Sequence, residues 1–153
     1  EILLFDKPLT LNKRTYNAAK DKTTTQQEIK ALKAKGINCL CPEYPQPKWF
    51  YALCDALGMY VIDCAALASP STADNREVNG TPSNDPLLKD EYLMRVEAMY
   101  RRAQNHVSII GFSLGTNIGN GYNMYKAYEH LKALGDSRPI IYDGAAGEWN
   151  SDI

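Results

Sequence analysis

Four short apolar runs punctuate the chain: Ile37-Asn38-Cys39-Leu40-Cys41, Met59-Tyr60-Val61-Ile62-Asp63, Val107-Ser108-Ile109-Ile110-Gly111-Phe112 and Pro139-Ile140-Ile141-Tyr142. Each follows a turn or a helix stop. Near-continuous apolar runs suit strands buried on both faces, as parallel strands are. Helical patterns separate them. Thr25 and Glu28 fit a capping box, Ile29 and Leu32 face inward, and Gly36 ends the first helix. Phe50, Leu53, Cys54 and Leu57 recur at helical spacing before Gly58. Leu88, Tyr92, Val96, Met99 and Ala103 trace a third stripe, and Tyr128, Leu131 and Leu134 before Gly135 a fourth.

The alternation of strand and helix predicts an α/β fold, a parallel sheet made of right-handed βαβ units. Residues 1–17 read as a short hairpin around Asp6-Lys7-Pro8 leading into a first strand from about Leu9 to Tyr16. That gives about five strands, whereas a closed (β/α)₈ barrel has eight and takes about 250 residues. The expectation is one domain over residues 1–153, either part of a barrel or an open sheet whose edges need cover, by a second copy or by the remainder of a larger chain. Residues 65–86, rich in Ser, Asn, Asp, Gly and Pro, form a connection too long for a simple turn. It follows a strand's C-terminal end, where such folds place binding loops, and the alternative is a disordered insertion.

Composition narrows the function classes. With 153 residues, 44% of them apolar, the chain is long enough to build a sizeable core. A formal net charge of -1 with both signs interspersed gives no footprint for nucleic acid or anionic lipid. No apolar run approaches the roughly 20 residues of a membrane span. Cys39, Cys41, Cys54 and Cys64 match neither a zinc pattern nor a dense disulfide framework, and read as small buried hydrophobes. Cys39 and Cys41, two apart on a strand, should face the same way.

The loops carry more. Lys35-Gly36-Ile37-Asn38, Tyr44-Pro45 followed by residues 49–55, Leu57-Gly58-Met59-Tyr60-Val61-Ile62-Asp63, Arg102 with Asn105-His106-Val107-Ser108-Ile109-Ile110, Ser113-Leu114-Gly115 and Asp136-Ser137-Arg138-Pro139 stand in one order across nearly the whole chain. In that order they resemble the catalytic barrel of glycoside hydrolase family 2, the β-galactosidases, β-glucuronidases and β-mannosidases, and are most similar to the β-galactosidases. The resemblance implies the N-terminal part of a TIM barrel, carbohydrate as partner, O-glycosyl hydrolysis as the family chemistry and a bacterial periplasmic or extracellular setting.

The polar positions of that pattern are broken. Such enzymes use two carboxylic acids, one to protonate the leaving oxygen and one to attack the sugar carbon. The acid would be the Glu of an Asn-Glu pair directly after Ser-Leu-Gly, and here the pair is Thr116-Asn117. A carboxamide has no proton to give. Thr116 stands where an Asn would hold the sugar 2-hydroxyl. The nucleophile would lie beyond Ile153. Where family members that bind magnesium offer Glu and His, this chain has Ala68 and Pro70, so no metal or other cofactor is expected. The acids left at strand ends are Asp63, Glu43 and Asp143, a conceivable rewired pair. Cys64 has no neighbouring His or Lys to stabilise a thiolate.

Three readings follow: a catalytically impaired barrel kept for its shape, a non-catalytic sugar-binding module, or a hydrolase whose acid comes from another loop. For the second, Tyr44 and Trp149 are the stacking candidates, with Tyr122 behind them, while Trp49 belongs to a helix core.

Overall fold

The computed structural model describes residues 3–4, 7–74 and 80–153. Leu3–Leu4 (β1) pairs antiparallel with Lys7–Pro8 (β2), so the hairpin is present; Asp6, placed at its turn, lies outside the described residues. The first strand of the main sheet, β3, is only Lys13–Tyr16, shorter than the sequence pattern implied. Its start is set by Asn38, whose side chain bonds the Asn12 N–H and the Thr10 carbonyl.

From there strand and helix alternate: α1 (Lys22–Ala34), β4 (Cys39–Pro42), α2 (Lys48–Leu57), β5 (Tyr60–Cys64), α3 (Lys89–Ala103), β6 (Ile109–Ser113), α4 (Tyr122–Ala133) and β7 (Ile140–Ile141). Strands β3 to β7 form one sheet in sequence order, every pair parallel. Five parallel strands, each joined to the next through a helix, make part of a (β/α)₈ barrel.

The helices follow their apolar stripes. Phe50, Tyr51, Leu53 and Cys54 of α2 are buried, and Gly58 ends the helix with φ 61°. Fully burying a side chain such as Phe50 is worth about 2 kcal/mol. On α3 the stripe is Tyr92, Val96, Met99 and Ala103, whereas Leu88 precedes the helix and is partly exposed. On α4 it is Met124, Ala127 and Leu131, with Tyr128 and Leu134 packed at its margin.

The capping box at Thr25 and Glu28 does not form. Helix α1 begins earlier, at Asp21, whose carboxylate accepts the Thr24 N–H at 2.9 Å. An Asp at this place does the capping without help from Thr25. Thr25 is buried within the helix, and Glu28 instead binds Lys20 and the Tyr16 hydroxyl.

The long connection is ordered wherever it is described, through short 3₁₀ turns at Pro70–Thr72, Pro82–Asn84 and Pro86–Leu88; residues 75–79 lie outside the described residues. Ser83 is buried and donates to the Gly119 carbonyl at 2.7 Å, and Asn123 donates to the carbonyls of Pro82 and Asp85. No helix among the described residues is long and apolar enough to cross a membrane.

Candidate functional site

In a parallel sheet all strands end on one rim, and alternation sends every second side chain away from the helices. Thr15, Cys41, Ile62, Cys64, Ser113 and Ile141 take that face. With the loops beyond the strands they enclose a pocket of about 560 Å³. The loops supply Glu43, Asp74, Thr116, Asn117 and Asp143. Four of the predicted site residues, Glu43, Thr116, Asn117 and Asp143, therefore share one cavity.

The loop carrying Thr116 and Asn117 is held from several sides. The Thr116 N–H donates to the Leu67 carbonyl at 3.0 Å, and the Ser69 N–H to the Asn117 carbonyl at 3.0 Å. Asn117 has φ 46°, a left-handed conformation that Asn tolerates better than most residues. Behind it, the Tyr142 hydroxyl is shared between the carbonyls of Ile118 (2.7 Å) and Gly119 (3.0 Å). A side chain on Gly144 would collide with that ring, its Cβ clashing with the Tyr142 hydroxyl. Asn120 and Asn150, both buried, exchange amide hydrogen bonds of 3.2 and 2.8 Å and tie the loop to the end of the chain.

Asp63 is not on the rim of the pocket. Its neighbours Ile62 and Cys64 face the cavity, so its own side chain turns to the helices, fully buried. There Tyr51 donates to Oδ1 at 2.7 Å, and Arg102 contacts Oδ2 through Nε (3.0 Å) and Nη2 (2.9 Å). Burial pushes its carboxyl above the ordinary range, against the pull of Arg102 and the Tyr51 hydroxyl. This acid is a structural partner of α2 and α3, beyond reach of a ligand in the cavity.

The aromatic candidates also lie off the pocket lining. Trp149 is half exposed, stacked on Tyr125 at 5.0 Å between ring centres and meeting Tyr128 edge-on. Tyr44 is half exposed beside Glu43, and Tyr122 faces Lys126. Trp49 packs against the core.

Cysteine placement refines the picture of four buried thiols. Cys39, Cys54 and Cys64 are buried, but Cys41 is only partly so and lines the cavity near Lys13. The Cys39 thiol and the Lys13 ammonium hold Cys41 below the ordinary thiol value, against burial and Asp143. Burial pushes Cys64 up to about 12. Register across the sheet decides this: Thr15 pairs with Cys41, and Leu40 with Val61, so Thr15 and Cys41 share the inward face of Ile62 and Cys64.

Ala68 and Pro70 offer no side-chain oxygen, and among the described residues no three His, Cys, Asp or Glu side chains cluster as metal ligands would.

Residues 12–153 match the family model described as glycosyl hydrolases family 2, TIM barrel domain. The chain belongs to glycoside hydrolase family 2. A β-galactosidase of Oenococcus oeni is 36% identical over 146 residues, 90% of this chain but 14% of that protein. Among solved structures, a family 2 β-galacturonidase from Eisenbergiella tayi bound to galacturonate superposes with TM-score 0.71 at 20% identity, covering 93% of this chain and 26% of that one. The β-glucuronidase of Parabacteroides merdae gives 0.68 at 19% identity, covering 90% and 19%. These likenesses carry the barrel fold. The chain thus spans a small part of the relatives it matches.

Proposed function

We propose that this family 2 barrel segment holds carbohydrate at its C-terminal rim without cleaving it by acid catalysis. One observation carries the reading: Asn117, matched by resemblance to the family's proton donor, lines the pocket and offers a carboxamide where a carboxylic acid is needed. The pocket keeps neutral hydrogen-bonding groups, Thr15, Ser113, Thr116 and Asn117, suited to sugar hydroxyls. A second reading rests on Glu43 and Asp143, which line the same cavity and would serve as a rewired acid.

Hydrolysis of two β-galactosides separates the readings, one with a nitrophenyl and one with an alkyl leaving group, using the longest natural polypeptide that contains these residues. Proton donation matters little for the first and greatly for the second. We expect no turnover of the alkyl glycoside; its turnover would overturn the first reading in favour of the second.

Among the described residues no strand pairs with the outer edge of β3 or β7. We propose that a second copy or the remainder of a larger chain covers them. Sedimentation of residues 1–153 as a well-behaved monomer would count against the first.

A further inference from the structure

We infer that the pocket discriminates by charge, accepting a sugar that carries a protonated amine and rejecting a uronic acid. The inference rests on the reading of this cavity as a carbohydrate site. Among the described residues lining it, the charged side chains are Glu43, Asp74, Asp143 and Lys13: three carboxylates against one ammonium.

Their positions matter as much as the count. Glu43 and Asp143 stand in the loops just beyond the C-terminal ends of β4 and β7, at the mouth. Lys13 begins β3, in register with Cys39 and two residues below Thr15, which pairs with Cys41. Its backbone is therefore a layer deeper, while its ammonium acts on the Cys41 thiol in the layer of Thr15. A ligand entering from the rim meets carboxylates first. A uronate brings a like charge to them and finds one ammonium, Lys13, against three carboxylates. A protonated 2-amino sugar brings a donor that a carboxylate accepts as a charge-assisted hydrogen bond. Thr116 and Asn117 are neutral and serve either ligand equally.

The test is calorimetric titration of the intact chain with three matched methyl β-glycosides: the galactoside, its 2-amino-2-deoxy analogue at a pH where the amine is protonated, and the galacturonide. At low ionic strength we expect the amino sugar to bind about tenfold more tightly than the uronide, with the neutral sugar between them. The ratio should shrink in salt and in the Glu43→Gln/Asp143→Asn variant. A uronide that binds as tightly as the amino sugar overturns the charge inference and leaves the carbohydrate pocket standing. A preference unchanged in the double variant overturns the assignment to these two carboxylates. No heat with any of the three sugars overturns the pocket reading itself, and the inference with it.

Discussion

Gly115 sits against the carbonyl of Leu67 so closely that a Cβ built on it would lie 2.8 Å from that oxygen. The contact joins the loop after β6 to the loop after β5, and the Thr116 N–H completes it by donating to the same carbonyl. Backbone cannot swing aside as a flexible side chain can. Gly115→Ala should therefore lower stability by about 1–3 kcal/mol, the usual cost of overpacking, and should weaken sugar binding by moving Thr116 and Asn117. Denaturant melts and the titration above measure both effects; an unchanged melt would refute the close approach.

Asn117 presents a second backbone constraint. Its φ of 46° suits Asn or Gly, and a residue with a longer side chain costs about 1 kcal/mol there. Asn117→Glu, the change that would return a carboxylic acid to this place, should fold with that loss and should not by itself confer hydrolysis of an alkyl β-galactoside. Asn117→Gly should be close to neutral. Equal stability of the Glu and Gly variants would remove the conformational argument, and turnover by the Glu variant would show that the rest of the machinery is present.

The order of elements was legible because two periods alternate along the chain, and because Gly36 and Gly58 stop helices where the pattern does. Finer features were legible only where they are local. Thr25 and Glu28 had the spacing of a capping box, but Asp21 lay four residues earlier and captured the helix start. Asp63 looked like a rim acid because it ends a strand run. Its parity is opposite to that of Ile62 and Cys64, and because those two line the cavity Asp63 faces the helices, an assignment only the assembled sheet supplies. Likewise, the Tyr142 hydroxyl on Ile118, the Ser83 hydroxyl on Gly119 and the Asn120 to Asn150 exchange join residues far apart in the chain. No local pattern announces them.

Asp63 and Arg102 form a buried charge pair between β5 and α3, and removing one partner strands the other. Asp63→Asn should destabilise the chain by about 3 kcal/mol. Changing both to apolar residues of similar volume should cost much less, because neither charge then remains to be desolvated. A double variant as damaged as the single one would mean that packing, not charge, fixes this position.

Cys41 is the thiol most open to reagent. Iodoacetamide at limiting dose should label it before Cys39, Cys54 and Cys64, which are buried. Because Cys39 and Lys13 lower its pKa, the pH midpoint of labelling should fall below that of an unperturbed thiol. Lys13→Gln should move that midpoint upward. Mass mapping that finds Cys64 labelled first would contradict the assigned faces of β4 and β5.

Acid should unfold the chain through carboxylates that the fold keeps ionised. Asp136 accepts the Arg138 N–H and Nε–H at 2.9 Å each and Nη2 at 2.6 Å, and those bonds hold it below the ordinary value. Burial raises Asp55, but hydrogen bonds from Ser108 N–H (2.8 Å) and His106 Nδ1 (2.6 Å) outweigh it, and its value too is lowered. A carboxyl depressed in the folded state contributes stability above its unfolded pKa and loses it as pH falls through the folded one. The chain should hold its stability near neutrality and lose it progressively below about pH 4. Asp55→Asn and Asp136→Asn should each cost about 1 kcal/mol at neutral pH. Together they should flatten the acid limb of the stability curve, followed by chemical denaturation at several pH values. An acid limb as steep in the double variant as in the parent would assign the titration to other groups.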